Sequence, residues 1–587
     1  MEVFIERKMT ELTFTRLKKN CRIDLADGRE CRLAILGDCA TQHLATAIRG
    51  YGVEEHIRFT VFDADYNQID AQLMDEQSEF YASKSQFTVI FMCVEKLYHA
   101  FCETQDRAAF ADTIYQKIRG YWELINVHTQ TTVIQFTFAE NDDRVFGNYA
   151  CKTNISFLYQ VRRLNLLLME GAQEVKNVFL MDLNRIQSCF GRDTVHDEKL
   201  YYIAKMPLST QILPEVAKQV VDIVKAVSGS IKKCVVTDLD NTLWGGVIGD
   251  DGLEGIQIGE LGLGHAFEEF QMWLKELQNR GIILAVCSKN NEETAKEPFL
   301  KHPEMILHLD DFSMFVANWE DKASNIRRIQ ETINIGMDSI VFLDDNPFER
   351  EQVRSTLPGI TVPELPEDPA RYVSYLKGLN LFETASWSQA DRDRTKQYQA
   401  EANRTASLAQ YQSYDEYLQS LGMVAEARPF DSFQFPRIAQ LTQRSNQFNL
   451  RTVRCTEAEV GQMAADDRFI TLYFTLRDKF GDHGLISVVI LEKTDGDTLF
   501  MYNWLMSCRV LKRGMEEFII NTVIGTAKQA GYRKVVGEYL QTPKNAMVKD
   551  IYERLGFRRL GDNTFEADVD TFVQNKTYIQ IRKDDAQ

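Results

Sequence analysis

The chain has 587 residues, 44% of them hydrophobic and 26% charged, and a formal net charge of −18. This length suggests about three or four domains of ordinary globular composition. The acidic balance disfavours nucleic acid and anionic membrane surfaces as partners.

The apolar runs are too short to cross a membrane, and Met1 to Asn20 lacks the apolar core of a signal peptide. We therefore expect a cytoplasmic protein with no membrane partner. The eleven cysteines are scattered and include no Cys-x-x-Cys pair. This pattern disfavours a disulfide framework and a structural zinc site.

In chain order, residues 1–228 alternate short apolar runs with segments of helical periodicity, such as Ala108–Ile125. Continuous apolar strands between helices predict an α/β domain, whose parallel sheet is covered on both faces. The predicted strands are Cys31–Leu36, Ile57–Phe62, Phe87–Cys93, Thr132–Phe138 and Val178–Met181.

A second α/β domain is predicted over residues 229–385, and a helical linker over residues 386–413. Residues 414–587 show antiparallel strand patterns, a long amphipathic helix, a further strand and a last helix Asn545–Leu555, an order that predicts an α+β fold. The strands predicted in these two domains are Cys234–Thr237, Ile282–Cys287, Ile306–Leu309 and Ser339–Leu343, then Phe469–Arg477, Leu485–Leu491, Thr498–Ser507 and Lys534–Leu540.

Two carboxylates, Asp238 and Asp240, directly follow the first strand of the second domain. In a doubly wound sheet that position is the ligand crevice. The Asp-x-Asp spacing lets Asp238 attack a phosphorus atom, while Asp240 protonates the leaving oxygen and later activates water. The pair predicts phosphoryl transfer through an aspartyl-phosphate.

Later strand and helix ends of the same domain add complementary groups. Ser288 can hold phosphoryl oxygens, Lys322 supplies a positive charge at the head of a helix, and Asp344 with Asp345 suits Mg²⁺. Without that metal the neighbouring carboxylates would repel one another. The predicted metal ligands are Asp238, Asp240, Asp344 and Asp345, and the predicted phosphate-binding residues of this domain are Thr242, Ser288, Lys289 and Lys322.

These four signals, in this order, resemble the four motifs of the haloacid-dehalogenase (HAD) superfamily. Members of that superfamily commonly insert a cap domain between the first two motifs or between the second and third. Here Asp238 and Ser288, and then Ser288 and Lys322, are too close in the chain for a cap domain. The resemblance therefore implies a capless, Rossmann-like HAD domain with an open site, which suits a phosphate carried on something large.

Further motifs resemble the FkbH-like branch of the HAD family. They include the flap Trp244-Gly245-Gly246-Val247-Ile248-Gly249-Asp250-Asp251-Gly252, Phe342-Leu343-Asp344-Asp345-Asn346-Pro347-Phe348-Glu349-Arg350, Asn446-Gln447-Phe448-Asn449-Leu450, Arg477-Asp478-Lys479-Phe480-Gly481-Asp482-His483-Gly484 and Ser507-Cys508-Arg509-Val510-Leu511-Lys512-Arg513-Gly514. The resemblance implies that the chain takes a phosphoglyceryl unit from 1,3-bisphosphoglycerate as a thioester. The unit is then dephosphorylated and passed to the phosphopantetheine arm of an acyl carrier protein.

A thioester requires a cysteine with a stabilised thiolate. Cys508 lies just past a strand, next to Arg509 and before Arg513 and a helix start, and these features favour thiolate. His483 is a candidate base. For each residue the alternative is an ordinary structural role, as a packed thiol and a turn histidine.

The third domain also resembles the GNAT acyltransferase fold. The loop Arg509–Gly514 before the long helix stands where that family binds pyrophosphate, so Arg509, Arg513 and Gly514 are candidate binding residues. The loop has Gly514 as its single glycine, which departs from the family pattern and favours the pantetheine arm of a carrier protein over free coenzyme A.

The first domain resembles SGNH hydrolases, which have a flavodoxin-like fold. Gly37-Asp38-Cys39 matches the opening motif with cysteine for serine, and Asn148 and Asp193 to His196 match later blocks. Cys39, Asn148, Asp193 and His196 therefore form a candidate second site, with docking of the carrier protein as the alternative. Two other functions stay open for the whole chain: a stand-alone phosphatase acting on a sugar or acyl phosphate beside an acyltransferase domain, in secondary-metabolite or polysaccharide biosynthesis, and non-catalytic flanking domains.

Overall fold

A computed structural model describes residues 12–141, 143–387, 411, 413–445, 447–494, 496–507 and 510–582. The chain divides into two compact units, Met1–Lys225 and Ala226–Gln587. The predicted fold class is confirmed: two parallel α/β sheets are followed by a mixed sheet of α+β type.

The first unit contains a five-stranded parallel sheet with the order β2-β1-β3-β4-β5. The central strands are buried along their length because helices cover both faces, as the continuous apolar runs predicted. The strands are β1 Arg29–Gly37, β2 Ile57–Asp63, β3 Phe87–Phe91, β4 Thr132–Phe136 and β5 Val178–Met181.

The helices of this region carry amphipathic patterns and pack large side chains such as Trp122 and Phe157 against the sheet. Their α-helical ranges are Phe14–Asn20, Gln42–Glu54, Ile69–Met74, Glu79–Ala82, Val94–Glu103, Phe110–His128, Phe157–Glu174, Leu183–Phe190, Arg192–Val195, Glu198–Ala204 and Leu213–Val227.

The second unit begins with a four-stranded parallel sheet of order β8-β7-β6-β9. Its strands are β6 Cys234–Thr237, β7 Ile283–Ser288, β8 Phe312–Ala317 and β9 Ile340–Leu343. Its helices are Ile248–Gly255, Gly264–Asn279, Glu292–Lys301, Lys322–Ile333, Pro347–Thr356 and Tyr372–Leu379. Residues 238–343 are fully described and contain no additional sheet, in agreement with a capless domain.

One strand prediction in this sheet is wrong. Ile306–Leu309 is not a strand, and the third strand is instead β8, Phe312–Ala317. The backbone amides of Ile306 and Leu307 donate hydrogen bonds to the buried Gln271 side chain, at 3.2 and 3.1 Å. The Gln271 side chain thus accepts the hydrogen bonds that the carbonyls of a neighbouring strand would otherwise have accepted.

The C-terminal part of the second unit is an eight-stranded mixed sheet of order β15-β16-β14-β13-β12-β11-β10-β17. Its strands are β10 Val424–Arg428, β11 Phe469–Asp478, β12 Gly481–Lys493, β13 Thr498–Met506, β14 Lys534–Glu538, β15 Arg558–Arg559, β16 Thr564–Asp568 and β17 Gln580–Ile581. Its helices are Tyr414–Ser420, Phe435–Arg444, Glu457–Ala465, Met515–Gln529 and Ile551–Arg554.

The predicted helix Asn545–Leu555 is wrong in extent, because a 3₁₀ turn over Ala546–Val548 and a short helix over Ile551–Arg554 replace it. Asn545 is fully buried, and its side chain donates to the carbonyls of Asn449 and Leu540 at 2.9 Å each, which ties this loop to the sheet rather than to a helix. Most of the predicted linker helix lies outside the described residues.

Among the helices that the structure describes, none is both long enough and apolar enough to span a membrane.

Candidate active site

Asp238 lies at the carboxyl end of β6, where its backbone amide donates to the carbonyl of Leu343 on β9 at 2.9 Å. Its Oδ1 accepts a hydrogen bond from the Leu239 amide at 2.8 Å, and its Oδ2 lies 2.6 Å from Lys322 Nζ. The carboxylate is buried and fixed at both oxygens. An anionic nucleophile is therefore held in one orientation beside a cation.

Lys322 is the first residue of the helix Lys322–Ile333, whose N-cap is Asp321. Its buried Nζ also lies 2.5 Å from Asp344 Oδ2. Burial by itself lowers the pKa of the Lys322 ammonium, but the carboxylates of Asp238 and Asp344 outweigh burial and raise that pKa above its ordinary value. Lys322 therefore stays charged between the two carboxylates.

Asp238, Asp344 and Asp345 form a cluster in which one carboxylate oxygen from each residue lies within 4.8 Å of the others. Burial raises the pKa of Asp344 to about 7; the Asp238 carboxylate adds to the rise and Lys322 opposes it. Arg350 fixes the loop, since its Nη1 donates to the carbonyls of Asp344 and Asp345 at 2.9 and 2.7 Å. Three hard oxygen ligands around an excess of negative charge suit a divalent cation.

The side chain of Asp240, also predicted as a metal ligand, has other partners. Its Oδ1 accepts from the Trp244 indole and the Ile248 amide at 3.0 Å each, and its Oδ2 accepts from Asn290 Nδ2 at 3.0 Å. Burial raises the pKa of the Asp240 carboxyl above its ordinary value. Asp240 therefore retains a proton more readily and lies next to the nucleophile, a position that suits general acid–base catalysis.

The remaining predicted phosphate-binding residues of this domain also meet at this edge of the sheet. Ser288 is buried at the end of β7, and Thr242 Oγ1 accepts a hydrogen bond from the Asp345 amide at 3.2 Å. Lys289 Nζ lies 2.6 Å from Glu349 Oε1. The sequence analysis gave no role to Asn290, which contacts Asp240, or to Arg350, which holds the Asp344–Asp345 loop. Asn290 could have been found, because it lies two residues after Ser288, the last residue of β7.

The C-terminal domain contains a buried polar cluster around the predicted base, His483. His483 Nε2 lies 3.2 Å from Asp478 Oδ2, and Arg513 Nη1 lies 3.5 Å from the same His483 nitrogen. Gly514, with a φ of +81°, caps the helix Met515–Gln529 in a backbone conformation that favours glycine. Cys508 and Arg509, predicted as the acyl carrier and an anion-binding residue, lie outside the described residues.

The residues predicted as a site in the first unit have the following neighbours in the structure. His196 pairs with Glu95, with Nδ1 3.1 Å from Oε1, while Cys39 clusters with Asp38 and Cys93. Asn148 and Asp193 are exposed. Burial raises the pKa of the Cys39 thiol above its ordinary value, which disfavours the thiolate that a nucleophile needs.

Lys322→Met is expected to destabilise the second unit by about 3 kcal/mol, because it leaves the buried carboxylates of Asp238 and Asp344 without their cation. The pKa of the Asp344 carboxyl is already raised by burial and held down by Lys322, so losing that cation raises it further. A carboxyl whose pKa is higher in the folded than in the unfolded state destabilises the fold at any pH above its unfolded-state pKa. The loss of unfolding free energy caused by Lys322→Met should therefore become smaller as pH falls from about 8 to about 6. Urea unfolding in the presence of a chelator measures it.

The matched control is Lys301→Met. Lys301 Nζ lies 2.6 Å from Glu297 Oε1, but both side chains are exposed. This pair should contribute about 0.5 kcal/mol or less. Equal destabilisation by the two substitutions would contradict the importance assigned to the buried lysine.

Two comparisons with known proteins found matches to this chain. A family model described as FkbH, N-terminal domain, matches residues 32–225. A solved structure, described as the N-terminal part of the protein BF1531 from Bacteroides fragilis containing a phosphatase domain complexed with Mg, is 47% identical. The match covers 64% of this chain and 100% of that chain, with a TM-score of 0.61.

Solved acetyltransferases also match the chain, at lower similarity. The ribosomal-protein-S18-alanine N-acetyltransferase of Escherichia coli is 14% identical, with 24% of this chain and 91% of that chain covered and a TM-score of 0.20. Mutant forms of the spermidine/spermine N-acetyltransferase SpeG of Vibrio cholerae are 12% identical, with 25% and 95% covered and a TM-score of 0.21. No curated protein matches the chain.

The domain organisation follows from the fold and the first two matches together. The N-terminal domain of the FkbH model is followed by a phosphatase domain and then by an α+β domain with a mixed sheet. Since the chain spans the whole of the Bacteroides fragilis structure at 47% identity, it belongs to the same family, the FkbH-like proteins with a HAD-type phosphatase domain.

Proposed function

We propose that the second unit contains a Mg²⁺-dependent phosphatase that works through an aspartyl-phosphate on Asp238. One observation carries this proposal: the Asp238 carboxylate is buried at a strand end, 2.6 Å from Lys322 Nζ and within 4.8 Å of its neighbours Asp344 and Asp345. These are the groups that an in-line attack on phosphorus requires.

The donor set fits Mg²⁺. Asp238, Asp344 and Asp345 offer carboxylate oxygens, which Mg²⁺ prefers, and Lys322 alone does not balance their charge. The related Bacteroides fragilis phosphatase domain is described as complexed with Mg. When bound, Mg²⁺ supplies positive charge that neutralises the phosphoryl oxygens during transfer.

The protein residues perform the two half-reactions. Asp238 Oδ forms a bond to phosphorus while the phosphorus–oxygen bond to the leaving group breaks, and Asp240 gives the leaving oxygen a proton. Asp240 then takes a proton from water, which attacks phosphorus and releases phosphate from Asp238. Lys322 and Ser288 hold the phosphoryl oxygens in both steps.

We further propose that the substrate arrives as a phosphoglyceryl thioester made from 1,3-bisphosphoglycerate. The Cys508 thiolate attacks the carbonyl carbon of the acyl phosphate, a carbon–sulfur bond forms, and inorganic phosphate leaves. The phosphatase site then removes the second phosphate. Exchange with the pantetheine thiol of an acyl carrier protein releases the glyceryl group and regenerates the Cys508 thiolate. This extension is supported by family membership and by the motifs that surround Cys508.

The cluster of Asp478, His483 and Arg513 supports a thiol chemistry in this domain. Asp478 Oδ1 accepts from the amides of Phe480 and Gly481 at 2.9 and 3.2 Å, so the turn that leads into the start of β12, where His483 lies, is fixed. Asp478 Oδ2 then orients the imidazole, as a carboxylate does for a catalytic histidine. We propose His483 as the base for acyl transfer and Asp478 as its positioning residue.

Both chemistries belong to one compact unit. Lys233, next to β6, donates from its Nζ to the carbonyl of Arg444 at 2.8 Å, and Lys544 pairs with Asp338. These contacts join the phosphatase sheet to the C-terminal domain. A joined pair of domains favours a sequential reaction on one carried substrate over two independent activities.

The experiment that tests this function incubates the full chain with 1,3-bisphosphoglycerate, Mg²⁺ and a phosphopantetheinylated acyl carrier protein. The expected product is glyceryl on the carrier protein, seen by intact mass. Chelation with EDTA should stop dephosphorylation, so that the carried acyl group keeps its phosphate, and added Mg²⁺ should restore it.

The arms of this experiment separate the two candidate functions. Chelator-sensitive hydrolysis of simple phosphate esters, with no acyl species on either protein, would contradict the glyceryl step and favour the stand-alone phosphatase. Phosphate release that is indifferent to EDTA would contradict the metal-dependent mechanism itself.

A further inference from the structure

The first unit contains a crevice that the phosphatase does not use. The sheet order β2-β1-β3-β4-β5 places β1 and β3 side by side, and the connections leave these two strands in opposite directions. In open parallel sheets, ligands bind at this switch point, beyond the carboxyl ends of the strands. The residues there are Asp38 and Cys39, after β1, and Cys93 and Glu95, after β3.

The strand register brings two cysteines face to face. Gly37 on β1 pairs with Phe91 on β3, so two residues further along Cys39 stands opposite Cys93. The two sulfur atoms and one oxygen of Asp38 lie within 4.8 Å of one another, and both cysteines are buried. The Cys93 amide donates to Asp38 Oδ1 at 2.9 Å, which orients that carboxylate.

The charges around this cluster are predominantly acidic. Asp38, Cys39, Cys93 and Glu95 all become anions on losing a proton. Glu95 Oε1 is paired with His196, but its other oxygen, Oε2, is buried and has no hydrogen-bond partner among the described residues. The neighbouring pocket is also lined by Gln187, whose buried Oε1 likewise has no hydrogen-bond partner in the described part of the chain. A cation and a polar ligand would satisfy these groups.

We propose that Asp38, Cys39 and Cys93 bind one thiophilic divalent cation, of the Zn²⁺ class, at this switch point. Two sulfur ligands and one oxygen select a softer ion than the three carboxylates of the phosphatase site. Zn²⁺ is usually four-coordinate, and three protein ligands leave one position for water or a small ligand in the pocket beside Glu95 and His196. On binding, each thiol releases its proton to solvent.

The spacing of the cysteines in the sequence does not indicate this proposed site. Structural zinc motifs place cysteines two to four residues apart, whereas Cys39 and Cys93 follow two different strands and meet only through the register of β1 and β3. The proposal therefore departs from the expectation, drawn from the missing Cys-x-x-Cys pair, that the chain has no structural zinc site.

The test uses the full chain, reduced, stripped with a chelator and titrated with Zn²⁺ or Co²⁺. We expect one tightly bound ion per chain and, with Co²⁺, the absorption band of thiolate-to-metal charge transfer. Cys39→Ser and Cys93→Ser should each lose this band, while Cys31→Ser, a buried cysteine elsewhere on β1, should keep it. Asp38→Asn keeps both thiols and should weaken Zn²⁺ binding by at least about tenfold.

The proposal is overturned by no metal uptake by the reduced chain, by a thiolate band that survives in both Cys39→Ser and Cys93→Ser, or by a band lost equally in Cys31→Ser. A Cys39–Cys93 disulfide that forms on oxidation, with no uptake after reduction, also overturns it. If the serine variants fail to fold, the Asp38→Asn titration decides. The readout is spectroscopic and needs no phosphatase activity, so its failure leaves the proposed function untouched.

Discussion

Replacing Asp238 with asparagine is expected to lower Mg²⁺-dependent phosphate release by at least about 10⁴-fold. An amide is a poor nucleophile, and the substitution also removes the charge that faces Lys322 Nζ at 2.6 Å. The measurement is phosphate release from a small phosphate ester by the purified full chain, with folding verified by circular dichroism.

The matched control is Glu331→Gln, an exposed carboxyl on the helix that begins with Lys322, which should retain full activity. Asp240→Asn should also slow turnover but leave Asp238 able to react, so a phosphoryl group should accumulate on the protein. Wild-type rates from a homogeneous Asp238→Asn preparation would rule out the aspartyl-phosphate.

The second large effect is expected at Cys508. Cys508→Ala should abolish the covalent acyl adduct that forms with 1,3-bisphosphoglycerate, because no other thiol is assigned that step. Hydrolysis of a simple phosphate ester should continue at close to the wild-type rate, since the residues of that site follow the strands of a different sheet. Intact mass and phosphate release on the same samples measure both.

Cys39→Ala and Cys455→Ala are the controls, because both cysteines are buried and neither is assigned to acyl capture. His483→Asn and Asp478→Asn should slow adduct formation by about 10² to 10⁴-fold without affecting ester hydrolysis. An adduct that survives Cys508→Ala and disappears in Cys39→Ala would move acyl capture to the first unit.

The phosphatase site was predictable because its residues follow strand ends. Asp238, Ser288 and Asp344 each come directly after, or end, a buried apolar run, and the carboxyl ends of parallel strands meet at one edge of the sheet. Sequence order alone therefore brought them together. The register of β6 with β7 and β9 then places them side by side.

Other features depend on contacts between distant segments that no local pattern encodes. Ile306–Leu309 has the composition of a strand, but the Gln271 side chain takes its backbone amides. The approach of Arg513 to His483 and the meeting of Cys39 with Cys93 likewise depend on how elements pair in space. The sequence identified candidate residues at these positions, but their contacts could be identified only from the structure.

The most direct test of separate sites for acyl capture and dephosphorylation is the intact mass of the chain and of the acyl carrier protein after incubation with 1,3-bisphosphoglycerate. In wild type the carried group should be glyceryl, without phosphate. In Asp238→Asn, which keeps Cys508, the phosphorylated acyl group should accumulate on the enzyme or on the carrier protein. If Asp238→Asn instead yields no acyl species on either protein, the two steps are not separate and the glyceryl assignment is contradicted.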